Sequence, residues 1–332
     1  MDDGLTTSER APAPDDARAA HEPVIPRPPR PAGLPGRLTD ERPTVSFELY
    51  PPRSEKAAGT LRTTIARLAE ARPDFFSVTY GASGSSRESS RGVVEHVLDT
   101  SDLPAVAHLT CLGSPPDEVR AVAEQLVALG VRDFLALRGD PPAGDPGWTP
   151  DPHGLQRASQ LVELLRDVSA ELPAGDRLSV SVAASPTALQ VGGASCGDLL
   201  ALRAKQDAGA DFAITQVFFE VEDYVRYVEA ARAAGVVLPL LPGVVPLTDP
   251  RRLRRLEEVS GVAVPTHVLA ALEAEEDPEA RTAVGRALGA ALAAGVLAAG
   301  APGLHLYTFN QHQASLDLLD DVGLRARAEP LA

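Results

Sequence analysis

Between residues 43 and 326 the chain alternates short apolar runs with segments of helical periodicity, and it does so eight times. The runs are Val45 to Leu49, Phe75 to Tyr80, Ala105 to Thr110, Phe134 to Leu137, Leu178 to Ala184, Phe212 to Phe218, Leu238 to Val245 and Gly303 to Phe309. Such nearly continuous apolar runs suit strands buried on both faces, as parallel strands covered by helices are. The segments between them place Leu61, Ile65 and Leu68, or Val119, Val122, Leu126 and Leu129, or Leu199 and Leu202, along one helical face. Eight strand-helix units predict an α/β fold, a (β/α)8 TIM barrel, with extra helix from Pro250 to Gly300 between the seventh and eighth units. An open doubly wound sheet is the alternative, but no Gly-x-Gly-x-x-Gly turn follows the first run.

The barrel segment is flanked by sequence of another texture. Residues 1–42 are rich in Pro, Ala, Arg and Asp without apolar periodicity, which predicts a disordered tail, and 327–332 form a C-terminal tail. The first residues include Asp2 and Asp3 with no apolar core segment before Pro43, so neither a signal peptide nor an anchor is expected. The Ala-rich run from Ala287 to Ala301 is too short and too glycine-interrupted to span a bilayer and reads as a buried barrel helix. A formal net charge of -15 argues against nucleic acid and anionic membrane partners, leaving small molecules. Cys111 and Cys196 form no CxxC pair, so neither a disulfide framework nor a zinc site is encoded; no metal site is expected, and a reducing cytoplasm fits. Lys56 and Lys205 are the only lysines among 31 basic residues.

In a barrel of this kind the chemistry collects at the C-terminal ends of the strands. Those ends carry Glu48; Thr79 and Tyr80; His108 and Thr110; Arg138 and Asp140; Ser185; Gln216; Pro246; and Tyr307 with Asn310. Glu48 is flanked by apolar side chains that disfavour its charged form, so a raised pKa and a general-acid role are expected; the alternative is a structural pair with Arg53 or a neighbouring strand. Asp140, beside Arg138 in a polar corner, is expected to stay ionised and to accept hydrogen bonds from an amino-heterocycle or stabilise a developing cation; the alternative is a surface turn. Gln216 both donates and accepts, as the edge of a heterocycle demands. The small-residue stretch Gly81 to Arg87 reads as a loop that cradles phosphate or a ring face, or is simply flexible. His108 reads as a ligand contact or a satisfied core histidine, and Cys111 as a small buried hydrophobe.

Taken together, these strand ends resemble the methylenetetrahydrofolate reductase family. The resemblance rests on Phe47-Glu48-Leu49-Tyr50-Pro51-Pro52-Arg53, Phe76-Ser77-Val78-Thr79-Tyr80-Gly81, Ala107-His108-Leu109-Thr110-Cys111, Leu135-Ala136-Leu137-Arg138-Gly139-Asp140-Pro141-Pro142, Asp207-Ala208-Gly209-Ala210-Asp211, Ile214-Thr215-Gln216-Val217-Phe218-Phe219 and Tyr307-Thr308-Phe309-Asn310. The motifs follow in order from about Val45 to Leu324.

The resemblance implies reduction of 5,10-methylenetetrahydrofolate to 5-methyltetrahydrofolate by NADH or NADPH, normally through a bound FAD. By motif, it implies that Glu48 is the general acid opening the five-membered ring to an N5 iminium. Asp140 then corresponds to the pterin-binding carboxylate that also supports the cation, and Gln216, Phe219 and Tyr307 to substrate contacts. FAD contacts are implied for Thr79, His108, Arg138, Gly139, Asp198 and Lys205. The sequence departs from the family where Ser185 and Leu189 replace a tyrosine and a histidine, in the loop Ala143 to Trp148, and at Gln311, which replaces an arginine. An aromatic and a polar contact are each worth about 1 kcal/mol or somewhat more. Two enzymatic forms follow, a flavoprotein and a flavin-free reductase with direct hydride transfer. A non-catalytic folate-binding or regulatory homologue is the alternative from another class, and a folate-linked methyltransferase barrel is disfavoured by the Glu48 and Arg138 contexts.

Overall fold

The computed structural model describes residues 34–38, 42–80, 84–141, 147–189 and 196–325. Nine parallel strand segments form one sheet: β1 Thr44–Leu49, β2 Phe75–Val78, β3 Ala105–Thr110, β4 Asp133–Leu137, β5 Ser179–Ala184, β6 Phe212–Thr215, β7 Leu240–Leu241, β8 Gly243–Val244 and β9 Gly303–Tyr307. They follow the order β7-β6-β5-β4-β3-β2-β1-β9-β8. The run read as one strand, Leu238 to Val245, is thus two: β7 pairs with β6, β8 pairs with β9, and Pro242 stands between them. Proline has no N–H for a ladder, so the strand changes partner there, and its carbonyl instead accepts from His305 N at 2.9 Å. One split strand position therefore closes an eight-position (β/α)8 barrel.

Alternation along the strands sorts side chains between two cores. Val45, Phe47, Leu49, Phe134, Ala136, Val180 and Val182 face outward and pack with Leu61, Ile65, Leu161 and Leu165 of the surrounding helices. Phe75, Val106, Leu135, Phe212, Ile214 and Leu241 fill the barrel interior near its N-terminal end. That end is tied by aspartates preceding strands: Asp74 accepts from Val45 N at 2.9 Å, and Asp211 accepts from Val180 N at 2.8 Å. Arg37 and Arg42 pair with Asp74, while Arg166 and Arg177 pair with Asp211. The Asp207 to Asp211 motif accordingly serves the barrel floor, away from the mouth.

The predicted disorder of residues 1–42 fails at its C-terminal end. Leu34–Arg37 forms a one-turn helix, and Leu34 (2% exposed) and Leu38 (5%) insert into the interior cluster at the barrel floor. Two apolar residues among prolines show no periodicity, so only the hollow they fill reveals them. Residues 1–33, 39–41 and 326–332 lie outside the described residues, as does most of the expected tail. Gly84 opens the helix Gly84–Thr100, so the expected loop ends earlier, and its first residues, 81–83, are outside the described set.

Between β8 and β9 the extra helical segment resolves into Pro250–Ser260, Thr266–Glu273 and Pro278–Ala298. Asp249 and Asp277 cap the first and third through Arg251 N and Ala280 N, each with Pro at the first helical position. The Ala-rich helix buries only one stripe, Gly285, Gly289, Leu292, Ala293 and Val296. No described helix is long and apolar enough to cross a membrane.

Candidate active site

Register brings the first site residue into a polar layer above the apolar floor. Glu48 on β1 lies opposite Ser77 of β2 and Tyr307 of β9, and it is 7% exposed. Its Oε1 accepts from Thr79 Oγ1 at 3.0 Å. On the other side, His305 Nε2 lies 3.4 Å and His108 Nε2 3.8 Å from Glu48 Oε2. His305 Nδ1 meets Ser46 Oγ at 2.8 Å, and His108 Nε2 is hydrogen-bonded to Ser77 Oγ. Arg53 is not among the ion-pair partners of Glu48 found in the described residues.

The expected rise in the Glu48 pKa is not what this layer produces. Burial pushes it up, but the His305 hydrogen bond, the neighbouring imidazoles and the Thr79 hydroxyl together hold it below the ordinary carboxylate value. The apolar flanks in sequence point outward, whereas the carboxyl points into a polar layer that sequence adjacency does not show. His108 is pushed from 6.5 down to about 4, chiefly by burial, with the Glu48 charge opposing and the His305 charge adding. Burial and the Glu48 charge raise Tyr50 and Tyr307 well above their ordinary value, so both keep their phenolic protons.

Several residues hold this layer in place. Asn310 donates to Tyr50 O at 2.8 Å and accepts from Tyr50 N at 2.9 Å, and Thr308 Oγ1 donates to Glu48 O at 2.7 Å. Phe309 and Asn310 take positive φ values of 49° and 56°, a turn these crossed bonds support. Tyr307 OH donates to Thr215 O at 2.8 Å, leaving its ring as the surface offered at the mouth. The ring fits because residue 243 is glycine: a Cβ there would come 2.6 Å from Tyr307 Cε2 and 2.3 Å from Thr215 O. Ser46, Ser77, His305 and Thr308 were not singled out from sequence. Alternation with Glu48 and Tyr307 places Ser46 and His305 on the same barrel face, and that was the available signal.

The other expected residues divide. Asp140 and Arg138 are exposed at the rim, held by Cys111 N and Leu112 N donating to Arg138 O at 3.1 and 2.8 Å. Gly139 has φ +85°, and a Cβ there would sit 3.0 Å from Thr110 Cβ, so the corner needs glycine. Gln216 is half-buried at the end of β6, with Oε1 accepting from Val217 N at 2.9 Å. Phe219, expected at the substrate, instead packs with Val217, Val245, Leu253 and Leu269 in a satellite core. It lies three residues past Gln216, in the loop that leads into the helix Val221–Ala233.

The groups expected to hold FAD make contacts of their own within the protein. Thr79 gives its hydroxyl to Glu48, and His108 is buried beneath the mouth. Asp198 Oδ2 accepts from Tyr227 OH at 2.7 Å, and Lys205 Nζ donates to Ala183 O at 2.8 Å. Burial pulls the Lys205 pKa down, against the opposing charge of Asp198. Ser185 N donates at 3.4 Å to the hydroxyl of Tyr227, a buried residue of the helix Val221–Ala233. Arg138 and Gly139, also expected at the flavin, stand at the open rim of the barrel. Residues 142–146 of the altered loop, residues 190–195 and the Leu189 side chain lie outside what the structure describes. Among the described residues no group of three or more His, Cys, Asp or Glu side chains is placed to hold a metal ion, and Cys111 is a buried free thiol pushed up to about 11 by burial.

Comparison with known proteins places this geometry. The family profile described as methylenetetrahydrofolate reductase matches residues 35–323. The 5,10-methylenetetrahydrofolate reductase of Escherichia coli is 33% identical over 282 residues, 85% of this chain and 91% of that protein. That of Pectobacterium carotovorum is 33% identical over 295 residues, 89% and 93% of the two chains. A methylenetetrahydrofolate reductase (NADH) of Zea mays is 31% identical across 86% of this chain and 49% of its own. Among solved structures, an uncharacterised Clostridium thermocellum protein that binds two copies of 5-methyl-5,6,7,8-tetrahydrofolic acid superposes with a TM-score of 0.59 at 15% identity, covering 87% of this chain and 96% of its own, which supports the fold.

Proposed function

The chain belongs to the methylenetetrahydrofolate reductase family, and from that premise we propose that it reduces 5,10-methylenetetrahydrofolate to 5-methyltetrahydrofolate with NADH or NADPH as hydride donor. The observation that carries the reading is the buried Glu48 at the mouth of the barrel, held by Thr79, His305 and His108. A carboxyl so fixed relays a proton to substrate at a defined point, and proton transfer by a positioned side chain contributes about 10²–10⁴-fold to a rate.

Glu48 protonates the N10 amine of the substrate's five-membered ring. The bond from N10 to the methylene carbon breaks with its electron pair going to N10, leaving an N5 iminium. Hydride from the reduced nicotinamide then adds to the methylene carbon. Asp140 accepts from the amino-pyrimidine edge and places a negative charge near the forming cation. Gln216 completes that edge, and the Tyr307 ring covers one face of the substrate.

Family membership brings FAD as an expected carrier, whose chemistry is to relay hydride from nicotinamide to substrate. The engagement of Asp198 and Lys205 within the protein supports direct transfer from the nicotinamide. Purified protein is expected to oxidise NADH or NADPH only when methylenetetrahydrofolate is present, and Glu48→Gln to remove that activity. No turnover by the wild type, with or without added FAD, refutes the reductase reading. An absorbance spectrum of the untreated protein between about 370 and 450 nm separates the two routes, since bound flavin is coloured. A colourless active protein supports direct transfer, and a co-purifying flavin band overturns it.

A further inference from the structure

We infer that Arg252, oriented by Gln311 at the rim of the barrel, takes a carboxylate of the substrate's glutamyl tail and so selects glutamylated folate. The inference rests on the folate reading above and adds which part of this chain holds the end of the substrate farthest from the pterin.

The direction in which the tail leaves follows from the strand order. In the proposed binding mode the amino-pyrimidine edge is held at Asp140 and Gln216, which follow β4 and β6, and N10 lies at Glu48 on β1. In the order β7-β6-β5-β4-β3-β2-β1-β9-β8, with Pro242 joining β7 to β8, β1 stands across the barrel from β5. N10 carries the benzoyl-glutamate group, at the end of the molecule opposite the amino edge. The tail therefore crosses the rim at β1, β9 and β8.

A guanidinium is fixed at that rim. Residues 245–249 follow β8 and 308–311 follow β9. Arg252, in the first turn of the helix Pro250–Ser260, donates through Nη1 to Gln311 Oε1. Its Nε lies 3.6 Å from Asp249 Oδ2, while Asp249 Oδ1 caps the helix by accepting from Arg251 N at 2.9 Å. Both partners are anchored close to the site. Leu253 and Leu256 pack in the satellite core that also takes Tyr307 and Phe309, and Gln311 N donates to Thr308 O at 2.8 Å.

The charge around Arg252 differs from that of its neighbours. Residues 251–255 include four arginines, of which Arg254 pairs with Glu273 and Arg255 with Glu258. Arg252 instead gives its hydrogen bond to an uncharged amide, which orients the guanidinium without neutralising it. The side chain is 40% exposed, and a planar fork of five N–H donors matches a carboxylate. A cation in the first turn of a helix opposes the helix dipole, so helix stability does not account for an arginine here. In a chain of net charge -15 an anionic tail is repelled at long range, and a positive group where the tail leaves offsets that repulsion.

The test compares each folate with its pteroyl analogue lacking glutamate, in wild type, Arg252→Gln, Arg252→Lys and Gln311→Ala. KM and kcat are measured with the methylene forms, and Kd by calorimetry with 5-methyltetrahydrofolate and its analogue. The wild type is expected to favour the glutamyl forms about 5–20-fold in both KM and Kd, a carboxylate bond discounted for partial exposure. Arg252→Gln is expected to remove most of that preference, and Arg252→Lys to keep part of it, since charge remains without the fork. Gln311→Ala is expected to reduce it by a smaller factor. A preference that persists in Arg252→Gln, a wild type with none, or an Arg252→Gln defect confined to KM for the nicotinamide dinucleotide overturns the inference. Calorimetry needs no turnover, so a protein that shows the Arg252-dependent preference in Kd but oxidises neither NADH nor NADPH overturns the reductase reading alone.

Discussion

Because His108 is buried neutral, acid should weaken this barrel in an amount that can be worked out. Burial lowers its pKa from 6.5 to about 4, so between those values the unfolded chain binds a proton that the native state refuses. Stability from this group is complete above about pH 6.5 and is lost as pH falls toward 4, because protons favour the state that binds more of them. One pKa unit is worth about 1.4 kcal/mol, so by pH 5 the loss is about 2 kcal/mol, and below pH 4 it levels at roughly 3.4 kcal/mol. The depressed Glu48 adds in the same direction at lower pH. The perturbation is His108→Gln, which keeps a partner for Ser77 but does not titrate. Urea denaturation of both proteins at pH 7.5 and pH 5.0 isolates the term, since the other histidines and the carboxylates are common to both. The wild type should lose about 2 kcal/mol more than the variant between the two conditions. Equal losses would refute the claim that His108 is held neutral.

Asp140→Asn keeps the shape of the rim corner but removes the charge, and a charge-assisted hydrogen bond of about 1.5–3 kcal/mol implies a roughly 10- to 100-fold weaker folate affinity, read by titration calorimetry. Unchanged affinity would return Asp140 to an ordinary turn residue. Leu34→Ala with Leu38→Ala opens the barrel floor; at about 2 kcal/mol or more each, the pair should lower Tm by roughly 8 °C or more, measured by scanning calorimetry. A Tm within a degree or two of wild type would show that this segment does not seal the barrel. Gly243→Ala forces a methyl group against Thr215 O and the Tyr307 ring, so it should raise KM through displacement of Tyr307 or destabilise the barrel, and normal values of both kcat/KM and Tm would contradict the packing described.

Strand-helix alternation was enough to read the barrel, because each buried parallel strand must be apolar over its length and must be followed by a covering helix. The runs for β3 and β5 match their observed spans to within a residue. The ends of runs were less legible. Phe212 to Phe218 contains only Phe212–Thr215 as strand, since Val217 and Phe218 are buried for reasons of loop packing that look the same in one dimension. The resemblance puts Phe219 at the substrate, and its side chain packs in a satellite core.

What the sequence by itself determined is the fold, the mouth and the chemical types gathered there, Glu48, Asp140, Gln216 and Tyr307 among them, because period and strand order decide which residues end on one rim. What only the tertiary structure decided is the state of those groups. Glu48 sits among apolar neighbours in the chain and among Thr79, His108 and His305 in space, 31, 60 and 257 residues away. Its electrostatics follow from the second set, since interactions decay with distance through space and take no account of separation along the chain.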